Sequence, residues 1–303
     1  MSFELTILGS NSALPTSNRY PTAQVLQVPG RCFLIDCGEG TQMQIRRNKI
    51  GFSKIKHIFI SHLHGDHYYG LIGLISTMNL LGIKNDLHIY APSELKSLIQ
   101  PQLDFIRSEL TVKPVFHSLN FKKSQKIFED KKVEVFSFPV KHSIPTCGFL
   151  FKEVQKQANI KKEIIKAYDI PITKIKEIKA GADYITDDGR TISNDKLTIA
   201  APKPKSYAFC TDTAFHEPAA ETIRGVDLLY HEATFLNEME DLAHKTLHST
   251  AKEAAQMAQL SGAKKLLIGH FSARYKDVSQ FVWEAKEVFE KTEAAVDGNV
   301  YRI

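Results

Sequence analysis

The run His62-Leu63-His64-Gly65-Asp66-His67 constrains the fold of this chain more than any other stretch. It places four potential metal ligands within six residues, in a chain that has only 12 histidines. The apolar residues 58–60 before it are typical of a buried strand, and residues 68–75 after it are typical of the start of a buried helix. Ligand sites in α/β folds gather at the carboxyl ends of strands. The sequence therefore predicts a metal-binding loop between a strand and a helix.

The spacing within this run indicates how many metals it serves. His62 and His64 alternate as in an extended segment, so their imidazoles face the same side of the chain. Gly65 allows a sharp turn that returns Asp66 and His67 to the same point. These ligands are too many for one tetrahedral zinc that keeps an open position, and they suit two adjacent metals. A solvated histidine-rich loop is the alternative interpretation, but it does not account for the ionised oxygen ligand or for the flanking strand and helix.

Other polar side chains follow predicted strands elsewhere in the chain. Asp212 ends an apolar strand that starts at residue 206, and its carboxylate can give one oxygen to each of two metals. His270 ends the strand predicted over 264–269. Asp36 ends the second strand of a predicted hairpin, just before a Gly-rich turn, and this position favours orienting a ligand histidine over binding a metal directly. His142 follows the strand predicted over 132–138, where a lone histidine is more often structural.

The HxHxDH run resembles the signature of the metallo-β-lactamase superfamily. The resemblance implies an α/β fold, the αββα sandwich, in which two mixed sheets pack face to face with helices outside. It also implies a site for two Zn²⁺ per chain, with Mn²⁺ as the alternative metal, and it makes His142 a ligand. One zinc then takes His62, His64 and His142, the other takes Asp66, His67 and His270, and Asp212 bridges them. Two metals in such a site lower the pKa of a water molecule to about 7.

Positive charge is concentrated in one segment. Residues 151–205 hold 11 Lys and one Arg against eight Asp and Glu, a net charge of +4, whereas the remaining 27 basic and 26 acidic residues nearly cancel. Pro171 separates two short Lys-rich helices predicted over 161–170 and 173–179, and few large apolar residues are available for burial. Composition alone leaves two interpretations open, a solvated surface insertion and a functional basic arm.

Three further stretches are similar to the ribonuclease Z family, endonucleases that remove 3′ trailers from precursor tRNA. They are Asp36-Cys37-Gly38-Glu39-Gly40-Thr41, His231-Glu232-Ala233-Thr234 and His248-Ser249-Thr250. The segment 270–275 resembles that family's closing ligand segment, although Phe271 stands where a smaller aliphatic residue is commoner. The resemblance spans nearly the whole chain and fits the short form of the enzyme. It implies a single domain over 1–303, with residues 151–205 as an inserted tRNA-binding arm.

The resemblance also implies roles for individual residues. Asp66 is a metal ligand that orients or deprotonates the attacking water, and His248, held near Glu232, assists the departing ribose 3′-oxygen. Arg274 contacts a substrate phosphate, and Arg19, in the early loop, joins it and the arm as a substrate-binding candidate. Asp36 and His231 support the ligands from behind. The products are a tRNA with a free 3′-hydroxyl and a trailer with a 5′-phosphate.

Bulk properties add a cellular context. The N-terminal residues 1–5 lack the basic and apolar regions of a signal peptide, and no apolar run reaches the length of a membrane span. Four cysteines without CxxC spacing favour small buried hydrophobes over disulfides. We therefore expect a cytoplasmic enzyme without membrane contact, and the family resemblance implies a homodimer.

Two other classes of protein compete with this interpretation. A small-molecule hydrolase of the same superfamily, acting on a phosphodiester such as a cyclic nucleotide, an aryl sulfate or a lactone, would keep all the ligands without needing the basic arm or His248. A non-catalytic RNA-binding module on a degenerate fold would have no reason to keep a complete ligand set. The sequence therefore favours a zinc-dependent endoribonuclease whose partner is precursor tRNA.

Overall fold

The computed structural model describes residues 3–105 and 110–303. The described strands are β1 (Glu4–Gly9), β2 (Ala23–Val28), β3 (Arg31–Ile35), β4 (Ile55–Phe59), β5 (Asp86–Ala91), β6 (Lys113–Ser118), β7 (Gln125–Glu129), β8 (Val133–Pro139), β9 (Cys147–Glu153), β10 (Asn159–Ile160), β11 (Tyr184–Ile185), β12 (Thr191–Ile192), β13 (Thr198–Ile199), β14 (Ser206–Cys210), β15 (Leu228–Glu232), β16 (Leu266–Gly269), β17 (Thr292–Ala294) and β18 (Val300–Arg302). The α-helices are α1 (Thr41–Arg47), α2 (Gly70–Leu80), α3 (Glu94–Asp104), α4 (Lys162–Ala167), α5 (Ile172–Lys179), α6 (Asn194–Leu197), α7 (Pro218–Thr222), α8 (Glu240–Thr246), α9 (Ala251–Ser261) and α10 (Ser279–Lys286). Residues 1–5 are expected to lack the features of a signal peptide. The first two of them, Met1 and Ser2, lie outside the described residues.

The chain divides into two compact units. The main unit comprises Met1–Lys152 and Lys205–Ile303, and the inserted unit comprises Glu153–Pro204. The main unit contains two seven-stranded sheets, with strand orders β18-β1-β2-β3-β4-β5-β6 and β17-β16-β15-β14-β9-β8-β7. Both sheets mix parallel and antiparallel pairs, as the resemblance to the superfamily implies. The predicted fold of two mixed sheets with helices is therefore confirmed.

The two sheets pack against each other through aromatic side chains. Phe59 of the first sheet stacks on Tyr90 at a ring-centroid distance of 4.7 Å and meets Phe149 of the second sheet at 5.5 Å. The opposite face of the first sheet is covered by α2, and the opposite face of the second sheet is covered by the alanine-rich α9. Since successive side chains of a strand point to opposite faces, both faces of the central strands are apolar and buried. This packing makes the strand ends rigid supports.

Helix α9 forms where the sequence predicts it. Thr250 caps its first turn by accepting from the Glu253 backbone amide, while the Glu253 carboxylate accepts from the Thr250 amide. Gly262 ends the helix in a left-handed conformation at φ 64°. This capping box satisfies amides that a helix start leaves without partners. It also fixes the chain directly after His248.

Parallel pairing gathers the polar strand ends along one edge of each sheet. In the first sheet, β3 and β4 are parallel neighbours, and they lead into Asp36 and into the HxHxDH run. In the second sheet, β14, β15 and β16 are parallel neighbours. Strand β14 leads into Asp212, β15 ends at Glu232, and β16 leads into His270. Asp36, Asp212 and His270 adopt φ values of 53°, 45° and 59°. Such left-handed angles at non-glycine residues cost of order 1 kcal/mol each and are typical of functional sites.

The inserted unit has a small hydrophobic core of its own. Its buried residues are Ile170, Ile178, Tyr184, Ile192 and Leu197. The expectation that few apolar residues are available here for burial is therefore wrong, because isoleucines spaced along α4, α5 and the short strands meet in one cluster. The pairs β10–β13 and β11–β12 complete this unit.

Some elements differ from those predicted by periodicity. The short strands β7, β17 and β18 carry no long apolar run and lie at sheet edges, where burial does not impose a clear pattern. Helix α10 ends at Lys286 and α4 ends at Ala167, short of the predicted Lys291 and Ile170. Strand β9 continues through Phe151, which is fully buried between the two sheets, to Glu153.

No helix in the part of the chain that the structure describes is long and apolar enough to cross a membrane.

Candidate metal centre

The HxHxDH loop leaves β4 and folds back through a 3₁₀ turn over Gly65–His67 before α2 begins. A Cβ atom on Gly65 would lie 2.1 Å from the ring of Tyr69. Gly65 is not among the described residues with positive φ. Glycine leaves room here for the exposed ring of Tyr69, and no left-handed turn requires it.

A first group of ligand atoms lies where this loop meets the second sheet. Nδ1 of His64 is 3.0 Å from Nε2 of His62 and 3.2 Å from Nε2 of His142. Oδ2 of Asp212 lies 3.5 Å from the His62 nitrogen and 3.7 Å from the His142 nitrogen. One ligand atom from each of these four residues lies within 4.8 Å of all the others. The structure thus brings together one of the two ligand sets predicted from the sequence.

A second group lies on the other side of Asp212. Oδ2 of Asp66 is 3.3 Å from Nε2 of His67 and 3.7 Å from Nε2 of His270. Oδ1 of Asp212 lies 3.2 Å and 3.1 Å from the same two nitrogens. The two oxygens of one carboxylate therefore face two different groups, which is the arrangement expected of a bridging ligand.

The residues of both groups fit divalent metal ions. Nε2 of His67 and Nε2 of His270 are buried and have no hydrogen-bond partner among the described residues. Buried nitrogens usually have a partner, and these two converge on the same carboxylate oxygens of Asp66 and Asp212, so together they identify a ligand position. Ligands bound to zinc at about 2.1 Å lie about 3.4 Å apart in a tetrahedron, close to the separations in both groups. Imidazole and carboxylate are the donors expected for such a metal.

Local electrostatics prepare most of these groups to bind a cation. Burial lowers the pKa of His62 well below its usual value and lowers the pKa of His64 and His142, so these imidazoles are neutral. Burial alone would raise the pKa of Asp212, but the neighbouring histidines outweigh it and hold that pKa well below the usual range. Metal ligation requires this combination of neutral imidazole and ionised carboxylate.

Asp36 holds His67 from behind. Its Oδ2 lies 2.7 Å from Nδ1 of His67, and both oxygens accept from Ser61, Oδ1 from the backbone amide at 2.8 Å and Oδ2 from the hydroxyl at 2.9 Å. A hydrogen bond at Nδ1 directs Nε2 into the second group. Burial lowers the pKa of His67, but Asp212, Asp66 and Asp36 outweigh burial and raise it well above its usual value. This excess of negative charge favours a cation at Nε2.

Buried Glu232 and partly exposed His248 form a pair beside both groups. Oε1 of Glu232 lies 2.8 Å from Nδ1 of His248, and the ring of His248 lies 5.0 Å from that of His142 and 5.6 Å from that of His270. Burial lowers the pKa of His248, but Glu232 outweighs it and raises the pKa to about 9. Because Nδ1 is engaged by Glu232, Nε2 is the nitrogen left to serve a reacting group.

Thr234 links this pair to His270. Its hydroxyl donates to Oε2 of Glu232 at 2.6 Å and lies 3.0 Å from Nδ1 of His270. A hydroxyl has one hydrogen to donate, so it accepts from His270 and leaves Nε2 of that ring free for a metal. Backbone amides of Thr213, Thr234 and Ser249 also donate to Glu232.

Three further predicted site residues, besides Asp36, Glu232 and His248, lie outside the ligand groups. Nδ1 of His231 donates to the Glu232 carbonyl oxygen at 2.7 Å, and its ring projects from the face of β15 opposite to Glu232. Arg274 is exposed, with its guanidinium 5.9 Å from the centre of the Phe235 ring. The guanidinium of Arg19 donates within the chain, to Oδ1 of Asn11 and to two backbone carbonyls of the segment 272–275.

Sequence reasoning missed the main-chain part of the centre. The amide of Ala13, held at φ 49°, donates to Oδ2 of Asp66 at 2.9 Å. The supporting hydroxyls of Ser61 and Thr234 were also missed, although Ser61 directly follows a predicted strand and Thr234 is the last residue of the stretch His231-Glu232-Ala233-Thr234. A backbone amide has no side-chain signal, so only the three-dimensional structure could identify Ala13.

Comparisons with known proteins place this site in a family. A family model described as anti-Pycsar protein Apyc1 matches residues 3–160, and one described as a beta-lactamase superfamily domain matches residues 185–271. A protein of Phocaeicola vulgatus named ribonuclease Z is 47% identical over 290 residues, which cover 96% of this chain and 94% of that protein. A ribonuclease Z of Cytophaga hutchinsonii is 43% identical, covering 100% of this chain and 97% of that protein.

Solved structures agree with these relatives. The human short-form tRNase Z superposes with a TM-score of 0.72 at 26% identity, covering 98% of both chains. A long-form RNase Z from yeast gives a TM-score of 0.71 at 19% identity, covering 99% of this chain and 42% of that chain.

The two mixed sheets and the His/Asp centre between their strand ends define an enzyme of the metallo-β-lactamase fold with a divalent metal site. The Apyc1 model covers little more than half of the chain, whereas the ribonuclease Z relatives align over nearly all of it. This chain belongs to the ribonuclease Z family.

Proposed function

We propose that this protein is a two-zinc endoribonuclease that hydrolyses the phosphodiester at the 3′ end of precursor tRNA. It removes the 3′ trailer and leaves a tRNA 3′-hydroxyl and a trailer with a 5′-phosphate. The observation that carries the proposal is the Asp212 carboxylate, whose two oxygens face two separate His/Asp groups 3.1–3.7 Å away. Ribonuclease Z relatives that align over nearly the whole chain support tRNA as the substrate.

We propose one metal on each side of Asp212. His62, His64 and His142 hold the first, and Asp66, His67 and His270 hold the second. Zinc is the proposed metal because these imidazole and carboxylate donors suit it, and Mn²⁺ is the alternative. Metal ions held by these residues would supply a water with a pKa near neutrality and would withdraw charge from the phosphoryl oxygens.

The protein's own groups divide the remaining work. Asp66 is fixed by the Ala13 amide, so its carboxylate has one orientation when it orients or deprotonates the attacking water. His248 donates a proton through Nε2 to the ribose 3′-oxygen as the P–O3′ bond breaks. Glu232, which contacts Nδ1 at 2.8 Å, holds the ring in place and stabilises its positive charge. Arg274 contacts a substrate phosphate with its exposed guanidinium.

The inserted unit supplies a second contact with the tRNA. Lys162 and Lys166 lie one helical turn apart on α4 and are exposed, as is Lys176 on α5. The small core beneath them holds these helices in place without requiring the lysines for stability. We propose that this unit, within the basic segment 151–205, binds phosphates of the tRNA body. Binding of this kind depends on charge and is weakened by salt.

We propose that the enzyme is a homodimer, as the family resemblance implies. Leu80, at the end of α2, is 87% exposed and Phe105, directly after α3, is 85% exposed. Contiguous apolar patches mark interaction surfaces, whereas single exposed apolar side chains are common, so Leu80 serves here as the position that tests the proposed interface. Sedimentation equilibrium should give a dimer that dissociates on Leu80→Glu, whereas a monomer at all concentrations would contradict the proposal.

We also propose a cytoplasmic location. All four cysteines are free and buried, which is typical of proteins that fold in a reducing compartment.

The direct test of function uses a precursor tRNA labelled at both ends. The enzyme should cut it once at the 3′ end, and end analysis should find a 3′-hydroxyl on the tRNA and a 5′-phosphate on the trailer. The control variant is His216→Ala, a half-buried histidine outside the ligand groups, which should cleave like wild type. Hydrolysis of a small phosphodiester without any cleavage of precursor tRNA would instead identify a small-molecule hydrolase.

A further inference from the structure

The early loop between β1 and β2 is fastened at both ends. The hydroxyl of Ser10 donates to Oδ1 of Asp297 at 2.7 Å, and the amide of Tyr20 donates to Oδ2 of the same carboxylate at 2.8 Å. The loop also pairs with the strand end that carries His270, because the amide of Ser12 donates to the Phe271 carbonyl and the amide of Phe271 donates to the Ser10 carbonyl, each at 3.0 Å. The loop therefore borders the candidate metal centre in a fixed position, and we call residues 10–22 the strap.

Arg19, near the end of this loop, connects the start of the loop at Asn11 with the segment that follows His270. Its Nε donates to Oδ1 of Asn11 at 2.8 Å, and its Nη2 donates to the carbonyl oxygens of Tyr275 at 2.7 Å and Ser272 at 3.3 Å. The guanidinium carbon lies 6.0 Å from the centre of the Phe271 ring. Phe271 is fully buried and meets Phe281 edge-on at 5.0 Å, so its large ring forms a floor beneath the arginine.

Arg19 joins the early loop to the segment 272–275, and each of these parts positions one group of the proposed mechanism, Asp66 or Arg274. Ala13 lies on the strap, and its amide donates to Oδ2 of Asp66 at 2.9 Å. Its φ of 49° is unfavourable for alanine, so the surrounding contacts must hold it in place. Arg274 lies between Ser272 and Tyr275, the two residues whose carbonyls accept from Arg19. The arginine thus fixes the Asp66 contact from one side and the Arg274 loop from the other.

We propose that Arg19 is a positioning residue that sets the orientation of Asp66 and Arg274, and that it does not bind a substrate phosphate. This inference rests on the proposed function, because it assigns roles within that reaction. Three acceptors in two segments require a planar fork of donors, which arginine provides and lysine cannot. Three of the five N–H donors of the guanidinium, those on Nε and Nη2, are engaged with neutral oxygens within the chain, so the group is held in place and only its Nη1 donors are not used in these contacts.

The test compares Arg19→Lys and Arg19→Met with a matched control, Arg224→Met. Arg224 is exposed and makes an ion pair with Glu221 three residues earlier. Each protein is assayed on precursor tRNA and on bis(p-nitrophenyl) phosphate, and amide hydrogen exchange is followed in residues 11–16. We expect both Arg19 variants to lower kcat on both substrates by a similar factor, about 10- to 100-fold for groups displaced by less than 1 Å. KM for bis(p-nitrophenyl) phosphate should stay unchanged, KM for precursor tRNA should rise with both variants because Arg274 is displaced, and the Ala13 amide should exchange faster.

Other results would overturn the proposal. A phosphate-binding arginine would give near-normal activity for Arg19→Lys, and Arg19→Met would raise KM for precursor tRNA alone while flattening its salt slope by about 0.9. A lower melting temperature with unchanged kcat would make Arg19 structural only. If the wild-type enzyme does not cleave precursor tRNA, the proposed function fails, yet kcat on the small phosphodiester and the exchange of Ala13 still decide the role of Arg19.

Discussion

The ligand centre and the inserted unit are built from opposite kinds of contact. In the centre, buried polar side chains are each held by a hydrogen bond from another element, as His67 is by Asp36 and His248 is by Glu232. In the inserted unit, five apolar side chains are buried and most of the charged ones are exposed. Catalysis needs preorganised groups at fixed positions, whereas binding of tRNA phosphates needs only positive charge near them. The two regions should therefore respond differently to substitution.

The largest effect should follow from Asp212→Asn, since this carboxylate faces both ligand groups. Asparagine tolerates the φ of 45° at this position, so the variant should fold. We expect metal content to fall and cleavage of precursor tRNA and of a small phosphodiester to drop to background.

Elemental analysis of the wild type should find close to two metals per chain, and chelation should abolish activity that zinc restores. A fully active, metal-free preparation would end this account of the centre.

His248→Ala should have the next largest effect. Loss of general acid assistance should slow cleavage of precursor tRNA by roughly 100- to 10,000-fold. Metal content should stay at the wild-type level, because His248 is not a proposed ligand, and a phosphodiester with a good leaving group should lose much less. Equal losses on both substrates would remove His248 from the proposed role.

Neutralising the exposed lysines of α4 should have a smaller effect of a different kind. For Lys162→Gln with Lys166→Gln, we expect KM for precursor tRNA to rise and kcat to stay constant. Each lost phosphate contact should flatten the slope of log affinity against log salt by about 0.9. Lys286→Gln on α10 is the matched control, an exposed helical lysine of the main unit. An unchanged salt slope would show that these two lysines do not touch the tRNA.

Much of the centre was predictable because strand patterns are local. Apolar runs locate the strand ends, and Asp212 and His270 follow such runs directly. The contiguous run from His62 to His67 needs no knowledge of the fold at all. The structure brings all seven predicted side chains together in two groups joined by Asp212. His142 is the exception, since the residues around it give no signal and only the family resemblance indicated it.

The main-chain support of Asp66 and the internal contacts of Arg19 could not be predicted because they join distant segments, whereas Asp36 and Glu232 were predicted as partners of the site histidines. The amide of Ala13 reaches Asp66 across 53 positions of sequence, and Arg19 reaches Tyr275 across 256. Positive φ values at Asp36 and Asp212 are imposed by tertiary packing and oppose local preference. The core of the inserted unit was missed for a related reason, because isoleucines scattered among lysines show no clear period until the short strands pair.

The central claim is that the ligand centre catalyses hydrolysis and the inserted unit binds tRNA. Removing the inserted unit tests this claim most directly. Lys152 and Ser206 are directly paired across the antiparallel strands β9 and β14, so a short Gly-Ser turn can replace residues 153–204 and close a hairpin. The measurement is kcat/KM of this variant and of wild type on two substrates, a precursor tRNA and a small phosphodiester. We predict that the small phosphodiester is hydrolysed at the wild-type rate with two metals bound, while kcat/KM for precursor tRNA falls severely and depends less steeply on salt. Unchanged kcat/KM and salt dependence on precursor tRNA would contradict the account.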